Sequence, residues 1–484
     1  MPKIVIALIT LLFAGGCALG PDYRRPEIDT PESYRHATTE ESTGEQVELL
    51  AAQPADDLPK GEWWRIYQDP VLDQLQRQAA DGNRDLQAAL ARLEQAQAAA
   101  RLSNADLLPR LDLQPSAQRS RTPEDLSPLG LSTTTTIINL PLNLGYELDL
   151  WGRLRRQSEA AGADFAASAA EVENFRLLLH GEVARAYFGL LVLDRESALL
   201  ERTLELRQEN LRLVNSRFSS GLSSRLDLSR SETEVATTEA EVIMLRQRRA
   251  ELEHGLALLL GKSTSAFTLP PVAGFNSALP QVAPGLPSSL LQRRPDVAAA
   301  ERRLMASSAR IGMAKAAFFP AIRLTGAAGY GSNELSTLLD SGNRLWSLAG
   351  QLSQPIFDGG RNRARLEQAQ AAHREALAAY QQTILQAFKE VDDALVALNL
   401  LAKQRQAQER ALAATQLSVE LSRQRYRAGL VSYLEVIESE RTALTLERAV
   451  LLTAGQELQA NLALIKALGG GWQDEDLLAQ VSPE

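Results

Sequence analysis

Asn139-Leu-Pro-Leu-Asn-Leu-Gly-Tyr-Glu-Leu-Asp-Leu150 is the stretch on which the fold turns. Leu140, Leu142, Leu144, Tyr146, Leu148 and Leu150 alternate with Asn139, Pro141, Asn143, Gly145, Glu147 and Asp149. A period of two puts one set on each face of a β-strand. Weaker copies run along Leu111–Ser120, Ile322–Tyr330 and Trp346–Ile356. Each is roughly ten residues long, the span of a tilted strand that crosses a bilayer. The expectation is four strands per chain, in hairpins over 110–150 and 321–357. Four strands cannot close a barrel, because the smallest membrane barrels need about eight. An open sheet edge is not tolerated in lipid. If these strands enter a membrane, several chains must share one barrel. Two hairpins packed on a soluble domain would carry the same alternation.

Outward from the strands the chain repeats itself. Phe218–Gly261 aligns without gaps on Tyr426–Gly469 at an offset of 208, with 12 identities in 44 positions. The same offset sets Gly152-Arg153 on Gly360-Arg361. Upstream, Asp85–Pro109 aligns on Asp296–Pro320 at an offset of 211. Two nearly equal offsets indicate a tandem duplication. None of the 21 prolines falls in the 128 residues between Pro141 and Pro270, or in the 127 between Pro355 and Pro483. Proline breaks helix interiors, so these gaps admit very long helices. The expected hairpins run Gly152–Arg217 with Asp227–Leu260, and Gly360–Arg425 with Glu435–Leu468. A helix of 66 residues would be roughly 100 Å long. Gly221 and Gly429 stand at the turns, where a helix end favours a residue free to adopt positive φ. Heptad-like Leu, Ala and Val spacing suits antiparallel coiled coils.

The N-terminus carries an address. Lys3, the apolar run Ile4–Phe13 and Ala14-Gly-Gly-Cys17 form a charged region, a short hydrophobic region and a small-residue cleavage site. The single cysteine excludes a disulfide framework. Cys17 after small residues resembles the bacterial lipobox, which implies diacylglycerol and an N-acyl chain on its mature N-terminus. Ala18 in the next position then implies sorting to the outer membrane. An ordinary secretory signal is the other reading of the same residues. No later segment offers 18 consecutive apolar residues, so any crossing would not use apolar helices. The net charge of −9 and the lack of a basic stripe argue against nucleic acid. The resulting map is a signal peptide 1–16, a lipidated arm with a short helix 17–82, a first repeat 83–269, a linker 270–293, a second repeat 294–468 and a polar tail 469–484.

These segments together resemble the TolC-like outer membrane factors, most closely the lipoprotein branch serving resistance-nodulation-division efflux pumps. The matching residues are Cys17-Ala-Leu-Gly-Pro-Asp-Tyr23, Trp63-Trp64, Asp69-Pro70, Glu147-Leu-Asp-Leu-Trp-Gly-Arg153, Arg294-Pro-Asp-Val297, Ala317-Phe-Phe-Pro320, Gln354-Pro-Ile-Phe-Asp-Gly-Gly-Arg361 and Tyr426-Arg-Ala-Gly-Leu430. They occur in order over nearly the whole mature chain. The resemblance implies an α+β membrane protein: a homotrimer whose four strands per chain make a twelve-stranded barrel, continuous with a periplasmic α-helical barrel. It implies a passive duct joined to a periplasmic adaptor and, through it, an inner-membrane pump.

A duct needs a closure. Glu435 and Glu438 are three apart and share a helix face. In a trimer they would form acidic rings that favour cations, with Leu434 as an apolar constriction beside them. Solvation of an exposed helix end is the plainer reading of these residues alone. The resemblance sets Glu435 and Glu438 on acidic ring positions that are usually Asp, with Leu434 on a hydrophobic constriction and Arg441 nearby. It sets Tyr426 and Asp227 on partners that tie adjacent hairpins, and makes Gly221, Leu222, Gly429 and Leu430 the adaptor-contacting turns. Val431 departs from a basic locking residue found in some members. No metal-ligand spacing, phosphate loop or catalytic motif occurs, so no enzyme and no cofactor is expected. The competing reading is a lipid-anchored periplasmic coiled-coil scaffold without a pore, which predicts no barrel-forming strands.

Overall fold

A computed structural model describes residues 18–28, 30–31, 34, 61–126, 131–271, 279–280 and 293–470. Cys17, most of the 18–60 arm, most of the linker and nearly all of the tail lie outside the described residues. The chain divides into two compact units. The first gathers residues 1–27, 91–169 and 299–381, and the second 28–90, 170–298 and 382–484. Each unit therefore takes pieces of both repeats.

The first unit holds the sheet. Its strands are β1 (Arg110–Leu113), β2 (Ser116–Thr122), β3 (Thr133–Leu148), β4 (Ala321–Ser332) and β5 (Arg344–Ser353). All pairings are antiparallel, in the order β1-β3-β4-β5, with β2 beside β1 on the same flank of β3. Five strands appear where four were expected, because the first expected strand is interrupted at Gln114-Pro115. Proline has no N–H for the ladder. Gln114 still donates to Pro141 O at 3.2 Å, which keeps β1 and β2 on one row. The expected hairpins also pair with each other: Ile138–Leu148 of β3 matches Ile322–Ser332 of β4.

Register sorts the side chains by face. Leu144 stands opposite Leu111 and Gly326, and Gly326 opposite Leu348. Leu142 stands opposite Leu113 and Ala328, and Ala328 opposite Trp346. That face is apolar across all four rows, yet open: Trp346 is 81% and Leu348 77% exposed. The other face carries Asp112, Asn143, Glu147, Arg323 and Gln351.

Helices α1 (Pro70–Gly82) and α2 (Arg84–Ala105) precede the sheet. The long helices are α3 (Arg153–Ser219), α4 (Arg225–Leu259), α6 (Arg361–Arg427) and α7 (Tyr433–Ala467), with the shorter α5 (Pro295–Ala316) between α4 and β4. None of the described helices is long and apolar enough to cross a membrane. Each strand-to-helix junction is capped by an aspartate. Asp149 accepts from the N–H of Leu154 and Arg155 at 3.0 and 2.9 Å. Asp358 accepts from those of Gly360 and Asn362, both at 2.9 Å. Trp151 donates to Pro320 O at 2.8 Å and packs on Phe319.

Residues 18–25 lie against the first junction and α5. Leu19 donates to Trp151 O at 3.1 Å, and Arg156 reaches Asp22 at 2.7 Å. Tyr23 and Arg25 both bond Glu301, at 2.9 and 2.6 Å. Gly20 crosses Gly312 so closely that a Cβ on Gly20 would fall 2.5 Å from the Gly312 backbone.

The second unit has an aromatic core. Trp63, Trp64, Tyr187 and Phe188 are buried. Tyr187 donates to Asp69 at 2.8 Å, and the same carboxylate caps α1 through Val71 and Leu72. His180 stacks on Trp64 and meets Gln76 at 2.7 Å. Burial pushes its imidazole down to about 4, so it is neutral at physiological pH.

Candidate functional site: the paired helix tips

Both turns end their helices in one way. At the first, Leu222 donates to Arg217 O at 2.8 Å and Gly221 to Phe218 O at 2.9 Å. At the second, Leu430 donates to Arg425 O at 2.9 Å and Gly429 to Tyr426 O at 3.0 Å. This is the Schellman pattern, which needs a left-handed residue. Gly221 and Gly429 supply it, with φ of 76° and 73°. Leu222 and Leu430 follow, 79% and 71% exposed. Exposed leucine at matched turns is an apolar tip that no described residue of the chain covers.

The side chains around the turns differ. Ser224 and Asp227 form a reciprocal capping box: the Asp227 N–H donates to Ser224 Oγ at 3.1 Å, and the Ser224 N–H to Asp227 Oδ2 at 3.4 Å. Ser432 makes no such side-chain bond. Glu435 instead takes Arg425 across the turn at 3.1 Å. Tyr426 stacks on Tyr433 with ring centroids 5.3 Å apart, and Arg217 lies 5.2 Å over the Tyr426 ring. Within one chain, then, Asp227 and Tyr426 each have other partners, and no bond joins them.

Leu434 is half-buried, and Glu435 and Glu438 are exposed. Arg441 turns from them to Glu234 on α4, with its Nε 2.7 Å from the carboxylate. That hydrogen bond holds the guanidinium above its ordinary pKa, and the charge of Glu438 adds to it. Glu234 is 7% exposed and also pairs with Arg207 of α3 at 3.0 Å. Two turns further along α7, Arg448 bonds Glu196 of α3 at 2.7 and 2.9 Å and Glu241 of α4 at 3.1 Å. Tyr433, Val436 and Ile437 of α7 share a buried apolar cluster with Val214 of α3 and Leu228 of α4. The second hairpin is thus held on the first by apolar packing at the tip, two arginine rungs behind it and an exposed Arg202–Glu447 pair at 3.5 Å.

Sequence reasoning missed the rungs, although a signal was present. Arg441 and Arg448 are seven apart, as are Glu234 and Glu241. Their repeat counterparts, Thr233 and Ala240, carry no charge. Equal spacing of charges on α4 and α7 is the signal that the two sets pair with each other.

Known proteins share this architecture. A model of outer membrane efflux proteins matches residues 75–262 and again 286–470. The matches are offset by 211 residues at their starts and 208 at their ends. The solvent efflux pump outer membrane protein SrpC of Pseudomonas putida is 36% identical over 470 residues, 96% of this chain and 98% of its own. The cation efflux system protein CusC of Escherichia coli is 34% identical over 476 residues, 98% and 99% of the two chains. The solved outer-membrane channel OprN superposes with a TM-score of 0.85 at 30% identity, covering 94% of this chain and all of its own. The doubled match agrees with the duplication, and the chain belongs to the outer membrane efflux protein family.

Proposed function

We propose that this protein is the outer-membrane exit duct of a tripartite efflux system, passively conducting substrates delivered by an inner-membrane pump through a periplasmic adaptor. The observation that carries the reading is the sheet: four rows with one apolar open face, one polar face and, among the described residues, an unpaired edge at either side. Leu111, Leu113, Trp346, Leu348 and Leu352 are exposed, with no apolar cover from the described residues. Lipid supplies that cover, and the polar face then lines water. Unpaired edges cannot remain in lipid. Joining the β1/β2 edge of one copy to the β5 edge of the next removes them, and three copies make a twelve-row barrel.

In this reading Cys17 bears the lipid. Ala18, the residue after it, lies against Gly152 at the sheet-to-helix junction. The adaptor meets the turns at Leu222 and Leu430. Leu434, Glu435 and Glu438 form the constriction, closed by apolar contact and ringed by carboxylates. The chain has no catalytic role, and substrate choice belongs to the pump.

Single-channel conductance of the purified protein in a planar bilayer tests this. A small cation-preferring current is expected, growing when Glu435 and Glu438 are changed to Gln. Trimer insertion with no change of current or cation preference in that variant would remove the ring. No insertion at all would favour the lipid-anchored scaffold.

A further inference from the structure

The two arginine rungs behind the tip are not equivalent. Arg441 meets Glu234, and Glu234 keeps Arg207 if Arg441 departs. Arg207 comes from α3 and also donates to Glu234 O at 3.2 Å, so that carboxylate stays neutralised within the first hairpin. Arg448 meets Glu196, which is 4% exposed and whose cation among the described residues is Arg448. Glu241, the other partner of Arg448, is itself 39% exposed and can turn to water. Separating α7 from the first hairpin at Arg441 thus leaves no lone buried charge, whereas separating it at Arg448 strands one on Glu196. An uncompensated buried carboxylate is the costly event in breaking such a pair.

Each rung also has apolar contacts beside it. Around Arg441 they are the tip cluster, with Tyr426 and Phe218 only half-buried at its margin. Around Arg448 they are Leu200, Val242 and Leu245, of which Leu200 and Leu245 are fully buried, with Leu444 of α7 packed on them.

We infer that Arg448, seated on Glu196, is the pivot on which the tip of α7 swings, and that Arg441 is the rung that releases. This rests on the reading of the tips as the gate and adds where the moving part ends. Opening then displaces α7 from Tyr433 to about Arg441, while residues from Arg448 onward stay on the first hairpin. Arg448 acts as a positioning residue: it touches no substrate and sets how much of the helix moves.

The test is single-channel conductance of the acylated trimer, read with its heat-dissociation midpoint. Arg441→Met should raise the current several-fold with little change in the midpoint. Arg448→Met alone should leave the current at the closed level and lower the midpoint. Added to Arg441→Met, it should raise the current at least twofold over the single variant, because the hinge moves deeper. Arg448→Lys in that background should return the current towards the Arg441→Met level, which a loss of general stability would not do. Where Arg448→Met does not assemble, Glu196→Gln with Arg448→Met leaves no buried charge at the rung and should give the same additive current. Arg448→Met opening the pore as far as Arg441→Met, or adding nothing to it, would overturn the pivot while leaving the gate in place. Unchanged current in both Arg441→Met and the Glu435→Gln, Glu438→Gln variant would instead overturn the gate, and the pivot with it.

Discussion

The two helix tips share one backbone and differ in how far each depends on the other. Both close with a glycine in the left-handed region and an exposed leucine after it. The first tip is self-sufficient: Asp227 is short enough to cap its own helix through Ser224. The second tip leans outward. Glu435 is spent on Arg425, Ser432 is left without a side-chain cap bond, and Tyr433, Val436 and Ile437 are buried against residues of the first hairpin. At the matching positions the first helix carries Arg225, Leu228 and Ser229, of which only Leu228 is buried. Duplication supplied two equal turns. Side-chain divergence made one a platform and the other a part that rests on it.

Changes that attack this difference should rank by what they strand. Glu234→Ala removes the carboxylate between Arg207 and Arg441 and leaves Arg207 largely buried without a counter-charge. It should cost about 3–5 kcal/mol, read as a lowered unfolding midpoint of the detergent-solubilised protein. Ile437→Ala cuts into the tip cluster and should cost about 2–5 kcal/mol, whereas Ser229→Ala, its exposed counterpart, should be near neutral in the same unfolding series. Equal losses at the two sites would erase the platform-and-rider distinction. Gly221→Ala and Gly429→Ala probe what the tips share. Neither glycine has a neighbour within 4 Å of an added Cβ, so only left-handed strain is felt. Both should lose about 1–2 kcal/mol, and by similar amounts. The smallest effect separates the caps: Ser224→Ala should cost about 1 kcal/mol, and Ser432→Ala a few tenths at most, compared by paired denaturant titrations. A larger loss at Ser432 would mean that the second tip is capped as the first is.

Much of this architecture was legible because it depends on local rules. The alternation at Leu140–Leu150, the long proline-free spans and the glycine turns each follow from one residue's own geometry, so strands, helices and tips could be read from spacing. The break at Pro115 follows from the same rule, yet went unread. Substrate class left no mark in the chain.

The sequence by itself determined the period of the strands, the length and ends of the helices, and the duplication that makes two tips. Only the tertiary structure decided that β3 pairs with β4, that Arg441 faces Glu234 rather than Glu435 and Glu438, and that Arg448 is the cation on Glu196. Those are choices among many Arg and Glu residues of equal propensity, and a charge on a helix says nothing of its partner until packing brings one carboxylate out of water and one guanidinium within reach.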